Sequence, residues 1–134
     1  MSLHHFSVLV PPNKSEDLIT FLKASLAHLD FKEFQRPVPG MVGMGTDRPY
    51  LWVDSYHVVE EADINAVQRM LDVTHVAFKA NNVEEVRKFH EEGLKAGGKC
   101  NGPPGPRPEY AEGYYAAFVR DPACNINFEV ACRV

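Results

Sequence analysis

Residues 4–10, HHFSVLV, alternate along the chain and carry β-branched side chains, which predicts a strand. VPPN breaks it. Asn13, with Glu16 three residues on, supplies a capping pair for a helix whose Leu18, Phe21, Leu22, Leu26 and Leu29 recur at helical spacing. Extended pieces follow at 31–35, 41–45 and 50–54, separated by Pro37, Pro39, Gly40 and the TDRP turn. Residues 56–73 read as a linker, within which DINAVQRML can form a short helix capped by Asp63. A strand resumes at 75–80, Asn82 and Glu85 repeat the cap, and Val86, Phe89 and Leu94 mark a helix ended by Gly97-Gly98. A short piece at 98–101, the loop NGPPGPRPEY and strands at 114–120 and 126–132 complete the pattern.

The second half repeats the first. His5 to His75 is an offset of 70 residues, Asn13 to Asn82 is 69, and Phe21 to Phe89 is 68. YLWVDS (50–55) lies over NFEVAC (127–132) in the same way. An offset that drifts by single residues across strand, cap and helix indicates duplication. Each copy reads βαβββ, and one copy alone leaves a sheet face uncovered, so two must pair. The expected architecture is α+β, a single domain over 1–134. One module covers about 3–55, the linker about 56–73, and a second module about 74–133.

Strand alternation sorts the side chains by face. Phe6, Val8 and Val10 oppose His5, Ser7 and Leu9; Val76 and Phe78 oppose His75 and Ala77; Phe128 and Val130 oppose Asn127, Glu129 and Ala131. The bulky faces belong under the helices. The others carry His5, His75 and Glu129 toward a cleft. Two imidazoles and a carboxylate suit a divalent first-row metal with open positions for water or substrate.

Composition narrows the partners. The 134 residues are 45% hydrophobic with a formal charge of −4. No run of Lys or Arg exceeds two, so nucleic acid is not an expected partner. No apolar stretch approaches the roughly 20 residues of a membrane span, and the start lacks the regions of a secretory signal. Cys100, Cys124 and Cys132 have no metal-like spacing and read as reduced thiols of a cytoplasmic protein, Cys100 and Cys132 as packed ones.

With the duplication, THVAF, GYYAAFVRDP and NINFEV, the chain resembles the vicinal oxygen chelate superfamily, which includes glyoxalase I, bleomycin-resistance proteins, fosfomycin-resistance enzymes and extradiol dioxygenases. The resemblance implies two βαβββ modules in a cupped, barrel-like mixed sheet, often completed or flanked by a second chain, hence a homodimer. It also implies metal ligands on the first and last strand of each module, at positions His5, Trp52, His75 and Glu129. Trp52 cannot ligate a metal, which disfavours glyoxalase I activity and leaves a three-ligand site for Fe, Mn, Zn or Ni.

The proline-rich loop around Arg107 reads either as a rigid connector or as a lid placing Arg107 and Tyr110 over the cleft. Tyr114 and Phe118 share strand parity, and Trp52 offers a stacking wall. Two functions remain open. One is a metal-dependent lyase, isomerase, transferase or dioxygenase acting on a small oxygen-chelating substrate, with Glu129 and Tyr114 at the chemistry. The other is a metal-free protein that sequesters a small molecule, with affinity from Trp52, Arg107, Tyr110 and Phe118.

Overall fold

A computed structural model describes residues 1–58 and 60–134; residue 59, inside the segment read as a linker, lies outside the described residues. The first four strands are β1 (Phe6–Leu9), β2 (Lys32–Gln35), β3 (Met41–Gly45) and β4 (Pro49–Asp54), with helix α1 (Ser15–Leu26) after β1. Helix α2 (Glu61–Asp72) follows. Then come β5 (His75–Lys79), α3 (Val83–Lys95), β6 (Lys99–Pro106), β7 (Tyr114–Arg120) and β8 (Asn127–Arg133). They form two four-stranded sheets of the same order, β1-β4-β3-β2 and β5-β8-β7-β6. In each, the first strand runs parallel to the last and the other pairs are antiparallel.

The duplication holds down to register. Ser7 pairs with Trp52 as Ala77 pairs with Glu129, each two residues beyond a histidine. The sheet is mixed and cupped, but it is two sheets and not a closed barrel. The β1 and β5 edges, with Val67, Met70 and Leu71 of α2, line a narrow cleft of about 250 Å3.

One core joins the halves. The apolar faces foreseen from alternation lie inward: Val8, Val76, Phe78, Phe128 and Val130 are all buried. Helix α1 packs on α3. Phe21 of α1 meets Phe128 of β8 with ring centroids 6.1 Å apart, and Phe31 meets Phe78 at 5.3 Å. Each buried aromatic contributes about 1.5–3 kcal/mol of transfer free energy, so neither half keeps its stability without the other.

Three local expectations change. Pro12 starts a 3-10 turn over Pro12–Lys14, which draws Asn13 inside the turn, and α1 has no side-chain cap. Glu16 instead pairs with Arg36. The second cap forms as expected: Asn82 Oδ1 accepts from Glu85 N at 2.9 Å, and Gly97 at φ +93° ends α3. The short helix capped by Asp63 is a full twelve residues with Glu60 at its N-cap.

The third change concerns the proline-rich segment. Residues up to Pro106 are strand, so the connector to β7 is shorter than the loop foreseen. Proline removes a ladder donor and is tolerated on an edge strand or at bulges. β6 is an edge strand, and its pairing with β7 shifts register at Cys100/Gly102 and Gly102/Gly105.

Candidate functional site

The open face of the second sheet gathers most of the foreseen residues. His75 begins β5, Tyr114 and Phe118 lie four apart on β7, and Glu129 sits on β8 opposite Phe118. With Tyr110 and Asn127 they line a cavity of about 370 Å3.

At its centre is Glu129, only 5% exposed. A buried carboxylate needs partners that offset the loss of water, and it has two. Tyr114 Oη donates to Glu129 Oε1 at 2.5 Å, and His75 Nε2 stands 2.8 Å from Oε2. Burial first, then the bond to Glu129, pushes the Tyr114 phenol up to about 12. The hydroxyl therefore keeps its proton at neutral pH and remains a donor.

The other face of the imidazole fixes its tautomer. His75 Nδ1 lies 3.0 Å from the Asn127 carbonyl oxygen, which can only accept, so Nδ1 carries the hydrogen. In a neutral ring Nε2 is then a lone pair aimed at a carboxylate oxygen. Two acceptors 2.8 Å apart repel unless a proton or a cation sits with them. Two atoms each about 2.1 Å from one ion and at a right angle about it stand about 3 Å apart, so a divalent metal with octahedral angles, as well as a proton, would suit this pair. Tyr114 and the Asn127 carbonyl would orient the two ligands from behind.

Aromatic rings bound the site. Phe118 stacks on His75 with centroids 6.0 Å apart and 27° between planes, and Tyr110 meets Tyr114 edge-on at 5.7 Å. The Arg107 guanidinium lies over Phe118 and donates to the Pro103 carbonyl at 2.6 Å. It is tied to its own proline segment, while Tyr110 is 63% exposed at the rim.

The first-module residues stand apart. His5 precedes β1, exposed, with Nδ1 2.7 Å from Nδ1 of His4. Among the described residues no group of three or more His, Cys, Asp and Glu side chains is placed to hold a metal ion. His75 and Glu129 meet; His5 does not join them within one chain. Trp52 lies half-buried on the open face of the first sheet, against Gly43.

Sequence reasoning named Asn127 as sharing the Glu129 face but not its role. That role belongs to the backbone carbonyl, which carries no side-chain signal. Elsewhere, Cys132 is packed as expected, and Cys124 is buried as well. Cys100 is not: it is exposed on the edge strand β6, beside His90 of α3. No helix among the described residues is long and apolar enough to cross a membrane.

No protein-family model matches the sequence, and comparison with curated proteins finds no match. Solved structures do match. A glyoxalase/bleomycin resistance protein from Albidiferax ferrireducens superposes with a TM-score of 0.66 at 20% identity, covering 96% of this chain and 97% of that one. A glyoxalase/bleomycin resistance protein/dioxygenase family enzyme from Burkholderia phytofirmans gives 0.69 at 14% identity over 100% of both chains. Lactoylglutathione lyase from Agrobacterium tumefaciens gives 0.65 at 16% identity, over 98% and 92%. The paired βαβββ sheets, matched over whole chains, establish that this protein has the glyoxalase/bleomycin resistance/dioxygenase fold to which its sequence pointed.

Proposed function

We propose that the protein is a vicinal oxygen chelate enzyme that holds a divalent metal at His75 and Glu129 and acts on a small oxygen-chelating substrate. The observation that carries this is the pair of opposed acceptors, His75 Nε2 and Glu129 Oε2 at 2.8 Å, with Nδ1 already committed to Asn127. When bound, the metal supplies Lewis acidity toward the substrate's oxygens. The chain supplies the rest. Tyr114 holds a proton at Oη beside the site, and Phe118 with the His75 ring forms a stacking floor for a planar group. Tyr110 narrows the mouth. In the homodimer that the resemblance implies, His5 contributed by a second copy is the third ligand.

The test is metal analysis after incubation with iron, manganese, zinc and nickel, on the wild type and on His75→Ala, Glu129→Gln and His5→Ala. About one ion per chain in the wild type, lost in all three variants, is the expected result. A wild type that retains no stoichiometric ion sinks the reading.

The aromatic lining favours one second reading, a metal-free protein that sequesters a small molecule. It expects ligand affinity unchanged by chelators and no turnover of the bound compound.

A further inference from the structure

Beyond Tyr114, the open face of the second sheet continues into a larger cavity of about 670 Å3. Tyr114 lines both hollows, so they adjoin. The floor of the larger one is made by Ala77 and Ala131, whose short side chains leave room above the sheet. Its walls include Lys79 and Arg133. Lys79 pairs with Ala131 across β5 and β8, and Arg133 pairs with Tyr114 across β8 and β7. Both cations therefore flank the alanine floor on the side away from His75.

These two charges have no ion-pair or hydrogen-bond partner among the described residues, whereas Arg36, Arg87, Lys95, Arg107 and Arg120 all do. Among the described residues, the carboxylate of Glu129 lies between them and His75, engaged by His75 and Tyr114, and that of Glu85 borders the cavity at Asn81, accepting from its backbone N–H at 2.7 Å. Arg69, Lys88 and Lys99 share that lack of a partner, but Lys79 and Arg133 are the two that line one cavity. Along β8, Lys79 stands level with Ala131, two residues or on the order of 7 Å from Glu129, and Arg133 is four residues or on the order of 13 Å from it.

We propose that Lys79 and Arg133 form an anion subsite, so that the ligand of this cleft carries a carboxylate or phosphate one short spacer away from the group held at His75, Glu129 and Tyr114. The inference deepens the proposed function, since it names the ligand class of the same cleft, but it does not need the metal. An arginine fork and a lysine point charge together suit an oxyanion, with the fork giving direction and the ammonium giving charge. The His75–Phe118 stack at the other end suits a ring or another flat group.

The experiment uses matched probes: 3-phenylpropionate against 3-phenylpropan-1-ol, and phenyl phosphate against phenol, each titrated by calorimetry into the full chain. The expected result is that one or both anions bind at least about tenfold tighter than their neutral partners. The pair showing the larger ratio distinguishes a carboxylate from a phosphate ligand. Lys79→Met and Arg133→Met each reduce the ratio, the double variant brings it near one, and Arg133→Lys retains part of it. Equal affinity of anion and alcohol in the wild type, or an undiminished ratio in the double variant, overturns the inference. The same variants are carried through metal analysis. Loss of the anion preference with metal binding intact supports this subsite, whereas a wild type that binds no metal but keeps the preference removes the metal reading alone.

Discussion

Tyr114 of β7 and Glu129 of β8 are offset by four positions in the strand ladder, where Glu129 pairs with Phe118, yet they meet through their side chains, the phenol donating to the carboxylate at 2.5 Å. The bond joins β7 to β8 at the point where the site's charge is buried. Substituting Tyr114→Phe leaves the ring in place and removes the donor. Because Glu129 then loses one of its two partners, metal or ligand affinity at His75 and Glu129 is expected to fall by roughly tenfold to a hundredfold, as for other residues that orient ligands. Calorimetric titration of the variant measures it, and an unchanged affinity would show that the bond has no share in the site.

The same phenol gives the protein an alkaline dependence. Its folded-state pKa is about 12, above the ordinary value near 10. Between those values the unfolded chain has released the proton and the folded chain has not. Folding stability from this group is therefore complete below about pH 10 and declines as pH rises toward about 12. Tyr50 is also raised by burial, so Tyr114→Phe makes the decline shallower without abolishing it. Denaturant midpoints of the two proteins across this range should diverge least at the alkaline end.

Asp121 organises the turn between β7 and β8. Its buried carboxylate accepts from Ala123 N at 2.9 Å, Cys124 N at 2.5 Å and Ile126 N at 2.7 Å. Asp121→Ala strands these donors, two of them fully enclosed. The expected loss is on the order of 3 kcal/mol, read from the urea midpoint. Asp121→Asn keeps one acceptor oxygen and is expected to lose less.

Gly43 sets the position of the only tryptophan. A Cβ added there would stand 2.8 Å from Trp52 Cη2. Gly43→Ala therefore pushes the indole away from the sheet, at about 1–3 kcal/mol. Its fluorescence emission is expected to shift red, and an unmoved spectrum would mean that the ring yields elsewhere.

The thiols differ sharply in access. Cys124 is buried and pushed up to about 12, and Cys132 is buried and raised as well. Cys100 is exposed, with His90 Nε2 3.1 Å from Sγ. Iodoacetamide at pH 8 is expected to modify Cys100 well before the others, as peptide mass spectrometry would show. Equal labelling of Cys124 would contradict the packing described.

What could be read beforehand follows from regularity. His75, Tyr114, Phe118 and Glu129 were legible because each sits on a strand whose alternation fixes its face, and the duplication set which strands pair. His5 was legible as to face only. Alternation cannot tell which open face meets which, so it did not reveal that His5 and His75 stay apart in one chain. Lys79 and Arg133 escaped notice because long cations at strand ends look solvated until a cavity is seen between them. The proline-rich segment misled because being an outer strand is a property of topology, and prolines that would disrupt an inner strand are harmless there.

That outer strand also shapes how copies of the molecule can associate. Three of the eight residues of β6, Pro103, Pro104 and Pro106, have no amide hydrogen to offer a newcomer, and the rest follow an irregular path. Zipper-like extension into fibrils stalls at such a border. The second sheet thus keeps a blunt border at β6, along which a further strand does not readily add.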